Sequence, residues 1–149
     1  MNNYLYSKIN QVLVPLGFKK KGANWFKDIG DKLKLKVYLQ KSRWSNSYDI
    51  YFYALNPIKE RSISPVHFIF GALWINKNLL GFDNKSEAEI NSGIDEAAKY
   101  VDVTITPIVK DLNKLEDLPN VLAKYKNLFV DSDHEKGIDS KTLQFFDLY

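Results

Sequence analysis

The chain contains no cysteine. Disulfides, thiolate metal sites and cysteine nucleophiles are therefore excluded. Histidine is nearly as scarce: His67 and His134 are the only two, 67 positions apart, and neither sits among the carboxylates that a general base or a zinc site requires. The seven glycines are dispersed, and Gly17, Gly22 and Gly30 do not open a helix after a strand, so no loop is built to cradle phosphate. No serine occupies a Gly-x-Ser-x-Gly elbow. The segment Asp131-Ser132-Asp133-His134-Glu135-Lys136-Gly137 has the oxygen ligands that begin a calcium loop. Its glycine comes one position late, Lys136 takes the sharp turn, and Thr142 replaces the closing glutamate, which excludes that reading. Long hydrophobic runs are also missing. The most apolar stretch, residues 66–75, includes His67 and falls far short of the ~20 residues that span a bilayer. The first residues carry no basic start, apolar run and small-residue cleavage site, so no signal peptide is expected. These absences predict a cytoplasmic protein with no catalytic residues, no metal, no cofactor and no membrane partner.

What is present suits one domain. A chain of 149 residues with 45% apolar and 26% charged residues can bury a full core without staples. Aromatic residues make up 14% of it, and that richness favours a sheet, whose pleated surface packs flat rings well. The net charge is only +3, but its distribution is uneven. Residues 16–43 hold eight Lys and one Arg against two Asp, whereas Glu87, Glu89, Asp95, Glu96, Asp102, Asp111, Glu116 and Asp117 crowd the later part. Such polarity can mark a surface for an anionic partner, or be solvated charge alone.

The chain order predicts a helix, then strands, then helices. Asn2 or Asn3 can cap a first helix, with Leu5, Ile9, Val12 and Leu16 on one face. Pro15 weakens its last turn and Gly17 ends it. Short strands follow at residues 18–21 and 25–29, joined to the next by a tight turn at Gly30-Asp31. The clearest strand sets Leu33, Leu35, Val37 and Leu39 against Lys32, Lys34, Lys36, Tyr38 and Gln40, a period of two. Residues 41–47 form a polar connection. Ile50, Phe52 and Ala54 then alternate with Asp49, Tyr51 and Tyr53. A loop over residues 57–65 leads to a strand at 66–75 that is apolar on both faces and reads as central or doubly covered. Ser86 with Glu89 is a capping box. Ile94, Ala98, Val101, Ile105, Ile108, Leu112 and Leu115 recur at helical spacing, which outweighs a competing strand reading of residues 101–106; Pro107 is expected to kink or split this helix. A short helix over residues 117–128 carries Pro119 in its first turn, and residues 131–139 and 142–149 read as a polar loop and a docked apolar tail. The fold class predicted for residues 1–149 is therefore α+β. It has an antiparallel meander of four or five strands, with an N-terminal helix and C-terminal helices mainly on one face.

If the leucine side of the sheet faces the core, then Lys32, Lys34, Lys36, Tyr38, Tyr51 and Tyr53 share the open side. Lysines beside tyrosines can hold a polyanion, the cations meeting phosphates and the rings meeting bases. The same residues also make an ordinary solvated face, where lysine stems lie over rings.

Leu16-Gly17-Phe18-Lys19-Lys20-Lys21-Gly22 followed by Trp25, then Leu39-Gln40-Lys41-Ser42 and an alternating strand over residues 48–52, resembles the bacterial family called domain of unknown function 4304. The resemblance covers the first third of the chain. It implies a small α+β domain with no activity to carry over, of a kind associated in some cases with bacterial toxin–immunity settings. An immunity role would mean stoichiometric binding. The expected function is then a non-catalytic module that binds another protein, an immunity-type inhibitor in such a setting. Its binding residues are Gln40, Lys41, Arg43, Trp44, Tyr51, Tyr53, Lys32, Lys34 and Lys36. The alternative is a basic nucleic-acid-binding module using the Lys/Tyr face.

Overall fold

The computed structural model describes residues 3–55, 68–73 and 81–125. Helix α1 (Asn3–Leu13) runs into a 3-10 turn at Val14–Leu16, and the strands β1 (Lys19–Lys21), β2 (Asn24–Ile29), β3 (Leu33–Lys41), β4 (Tyr48–Leu55) and β5 (Phe68–Leu73) follow. Helix α2 (Glu87–Asp111), a 3-10 turn at Leu115–Asp117 and helix α3 (Leu118–Lys124) complete the described chain. The expected α+β class and block order are observed. His67, His134, residues 57–65, the 131–139 segment and the 142–149 tail lie outside the described residues.

The five strands form one antiparallel meander in the order β1-β2-β3-β4-β5. Alternation along β3 is complete: Leu33, Leu35, Val37 and Leu39 are buried while Lys34, Lys36 and Tyr38 between them are half-buried. In β4, Ile50, Phe52 and Ala54 are buried opposite Leu39, Val37 and Leu35. One face of the sheet is thus the floor of the core, as period two requires. The strand expected to be central or covered on both sides, β5, is not central: it pairs with β4 at the end of the described sheet order, with a register shift between Tyr51 and Tyr53. A meander adds each hairpin outside the last, so its final strand lies at an edge whatever its hydrophobicity. The opposite edge, β1, is three exposed lysines long, and short, charged edges resist pairing with another chain.

Helices α1 and α2 cover the floor. The buried residues of α1 are Leu5, Tyr6, Ile9 and Leu13. This corrects the expected stripe, since Val12 and Leu16 are only half-buried. The helix ends at Leu13, so Leu16 belongs to the 3-10 turn and Leu13 takes its place under the 4-residue repeat from Leu5 and Ile9. Asn3 is likewise the first helical residue and not a cap. The exit from the 3-10 turn is a Schellman motif: Phe18 N–H donates to Leu13 O (3.2 Å) and Gly17 N–H to Val14 O (3.0 Å). Gly17 is left-handed there at φ 95°, a conformation that costs any residue with a Cβ. Lys27 Nζ donates to Leu16 O at 2.7 Å, placing a cation on the carbonyl end of the turn.

Trp25 joins these parts. It lies fully buried in β2, its Nε1–H donates to Asn10 Oδ1 of α1 at 3.0 Å, and its ring stacks with Tyr6 at 6.2 Å. Tyr6 meets Tyr48 edge-on, and Tyr48 meets Phe82. The apolar stripe of α2 (Ile94, Ala98, Val101, Ile105 and Ile108, with Ala97 and Val109) closes the core. Ser86 and Glu89 make the expected capping box. Pro107 does not split the helix, which continues to Asp111. Both Pro107 and Val103, whose carbonyl loses its partner, lie on the exposed side, where water can satisfy the freed group. The stripe does end early: Leu112 is the C-cap and Leu115 starts the next turn. Asp111 then receives Lys124 Nζ (2.8 Å) and Tyr125 Oη (2.6 Å), tying the end of α3 to that of α2.

Replacing Trp25 should show its weight. Trp25→Ala is expected to cost about 3–5 kcal/mol, and Trp25→Phe about 1–3 kcal/mol, largely because Asn10 Oδ1 loses its donor. Urea unfolding followed by circular dichroism measures both; equal stability of Trp25→Phe and wild type would contradict the role given to the indole hydrogen bond.

Candidate functional site

The register assembles the open face into a grid. One rung runs Lys19, Phe26, Lys36, Tyr53 and Ile69; the next runs Lys21, Asn24, Tyr38, Tyr51 and Ala72. Asp28 and Lys34 share the rung on one side, Gln40 and Asp49 the rung on the other. Four lysines, Lys19 and Lys21 of β1 and Lys34 and Lys36 of β3, therefore flank Phe26 of β2, and the Tyr38–Tyr51 pair lies beside them. The two tyrosines stack across the strands at 5.0 Å and 16°, and Tyr38 Oη donates to Gln40 Oε1 at 3.0 Å. Lys36 Nζ lies 5.2 Å from the Tyr38 centroid and 5.7 Å from that of Phe26, and Lys34 Nζ lies 5.5 Å from Phe26. Lys34 also reaches Asp28 at 3.7 Å. Burial, then Asp49 and Tyr38 nearby, raise the Tyr51 phenol above its ordinary value, so it stays neutral at physiological pH.

Magnitudes decide what the rings can do. A lysine over an exposed ring is worth about 0.5–1 kcal/mol, whereas a base stacked on a ring is worth about 1–3 kcal/mol. The lysine–ring contacts on this face are thus weak enough for a stacking group to displace.

The sequence-predicted site residues divide into four groups. Lys34, Lys36 and Tyr51 lie on the open face, and Gln40 and Tyr53 hold register positions on it. Lys32 does not join them. It sits in the turn before β3, because the left-handed Gly30 at φ 68° and Asp31 take up the chain reversal and the ladder starts only at Leu33. Lys41 is the last residue of β3, paired with Tyr48, and so has the parity of the covered face and not that of Gln40. Arg43 and Trp44 occupy the loop from 42 to 47. Sequence reasoning missed Lys19, Lys21 and Phe26. The period-two pattern of β1 and β2 carries the signal, but three residues of β1 are too few to show it without their partners.

The 42–47 loop is held firmly. Ser42 N–H donates to Ser47 O (2.9 Å), Trp44 N–H to Ser42 Oγ (3.1 Å), and the Ser45 and Ser47 hydroxyls lie 2.7 Å apart. From the segment before α2, Phe82 N–H donates to Asn46 O (2.7 Å), Asp83 Oδ2 accepts from Asn46 N–H (3.1 Å), and Gly81 bridges to Ser47. Trp44 nevertheless stands 94% exposed. Beside it, Lys41, Ser42, Arg43, Ser45, Asn46 and Asp83 line a shallow depression of about 560 Å3.

A second depression, about 620 Å3, follows the seam of α1 and α2. Its polar end is an ion cluster: Tyr4 Oη donates to Asp95 Oδ1 (2.7 Å), and Lys8 Nζ lies 3.4 Å from the same oxygen. The hydrogen bond from Tyr4, then Lys8, hold the Asp95 carboxyl below its usual range. Along the rest of it, Lys99, Asp102 and Lys110 stand beside the apolar Val12, Leu16 and Ala98.

Residues 9–64 match the model of the family described as Domain of unknown function (DUF4304). The likeness is established for that segment. No curated protein and no solved structure matches the chain. The matched segment begins within α1 and includes β1 to β4, and the sequence motifs quoted above for the resemblance have mechanical roles in it. Leu16-Gly17-Phe18 is the Schellman exit of the 3-10 turn after α1, Trp25 is the bolt between β2 and α1, and Gln40-Lys41-Ser42 is the end of β3 and the first residue of the hairpin loop. Among the described residues, no three Asp, Glu or His side chains gather as a metal site, and no helix is long and apolar enough to cross a membrane.

Acid should weaken the α1–α2 seam in a defined window. The Asp95 carboxyl is depressed in the folded chain, so its contribution is full above the unfolded value of about 3.9 and is lost as pH falls through the folded value. Wild type should exceed Asp95→Asn in urea midpoint at pH 7 and match it near pH 2. A gap that persists at the lower pH would contradict the assignment.

Proposed function

We propose that this protein is a non-catalytic binding module for another protein, acting as an immunity-type inhibitor in a bacterial toxin system. The observation that carries the reading is Trp44, 94% exposed on a loop that five hydrogen bonds hold in shape. A large apolar side chain in water loses nothing of its own by docking, and tryptophan and arginine are the residue types that dominate interface energetics. A pre-ordered loop keeps most of that energy, since little conformational freedom remains to be lost on binding. Arg43 adjoins Trp44, and Lys41 adds a second exposed cation at the strand end, which suits an acidic partner surface.

Affinity capture on the full chain tests this. A single protein should be recovered in stoichiometric amount with wild type and reduced at least tenfold by Trp44→Ala, a loss of about 1.4 kcal/mol or more. Lys34→Gln/Lys36→Gln, on the open face, should leave recovery intact. Recovery that ignores Trp44→Ala overturns the reading.

A further inference from the structure

The open face of the sheet has a separate use. The geometry points to a site for single-stranded nucleic acid on the grid formed by Lys19, Lys21, Lys34 and Lys36 around Phe26, Tyr38 and Tyr51, and this goes beyond the protein-binding reading, which rests on residues 42–47.

Charge and spacing lead to this occupant. Along each strand the paired lysines are two residues apart, about 6.7 Å, and β1 and β3 lie two strand spacings apart, about 9.6 Å. The cations therefore border a shallow channel with Phe26 on its floor, flanked by Lys19 and Lys36 in one rung. Asp28 and Asp49 are the opposing charges within the grid, and Asp28 is engaged with Lys34. A polyanion fits such a border, since each lysine that meets a phosphate releases condensed counterions. The rings narrow the choice. Phe26, Tyr38 and Tyr51 are half-buried on the open face of the sheet, a surface whose rings suit the faces of unpaired bases and not those stacked within a duplex. Asn24 lies between Lys21 and Tyr38 in the second rung, a polar group among the rings. No groove-entering helix or ribbon is needed, and no sequence preference is implied, because every base has a face to stack.

Fluorescence anisotropy with the purified full chain tests the inference. The probes are labelled oligo-dT and oligo-rU of about a dozen nucleotides, a duplex of equal length, and a heparin fragment. Both single strands should bind at low salt, with log affinity falling against log salt at a slope of about −2 to −3 for four lysines. Unequal binding of the two identifies RNA or DNA as the natural source. Changing all four lysines to Gln should weaken the single strands at least tenfold. Tyr38→Leu and Phe26→Leu should each weaken them about 5- to 100-fold and leave heparin unchanged, while Tyr38→Phe, which keeps the ring, should bind as wild type. Trp44→Ala should bind as wild type too, so the hairpin reading stands or falls apart from this one. Circular dichroism checks each variant; should a ring variant fail to fold, the lysine variant and the preference for single strand over duplex decide. Absence of binding at about 50 mM salt, equal binding of the duplex, or ring variants that change nothing would each overturn the assignment.

Discussion

Everything in this fold depends on one buried contact, the indole of Trp25 set between the sheet and α1. A sheet with a single apolar face has to be covered, and an 11-residue helix is too short to hold its position by itself. The Trp25 Nε1–H bond to Asn10 fixes where α1 lies along β2, and stacking on Tyr6 fixes how it is rotated. That rotation explains why Leu13, and not Val12, is buried. With α1 in place, Asp95 of α2 finds Tyr4 and Lys8, and the apolar stripe of α2 closes the remaining floor. Asp111 then anchors α3. Each element docks on the one before it.

Among the described residues the helices cover one face only, and the sequence equips the other unusually. Lysine stems and aromatic rings lie against each other through contacts of less than about 1 kcal/mol each. Such contacts keep apolar rings from bare solvent without committing the lysines, so the surface is ordered and still exchangeable. The hairpin loop follows the opposite logic: its backbone is tied down by many hydrogen bonds while its largest side chain has nothing to pack on. The two surfaces differ in what they keep free, one its charges, the other its tryptophan.

The parts of the fold legible in the sequence are those decided by local chemistry. The alternation of β3 and β4, the Ser86–Glu89 box and the left-handed Gly17 each rest on residues within a few positions of one another. The misreadings arise where a partner decides. Residues Leu5 to Leu16 admit two neighbouring stripes, and only the sheet beneath α1 selects one. A fully apolar β5 resembles a central strand, yet chain connectivity puts it at the edge. Pro107 in isolation predicts a kink or a split, and its solvent-facing position lets the helix continue unsplit. Lys41 reads as loop until Tyr48 lies opposite it.

The same division holds for the candidate surfaces. From its own residues the chain determined that β3 would show lysines on one side and leucines on the other, because a pleat of period two leaves no choice. It determined as well that cysteine chemistry is excluded, since the chain has no cysteine. Only the tertiary structure decided that Lys19, Lys21 and Phe26 join Lys36 and Tyr38, because cross-strand register brings together residues far apart in the chain. It also decided that Trp44 stands in water on a fixed loop, because the bonds that hold the loop come in part from Phe82 and Asp83, some forty residues further on.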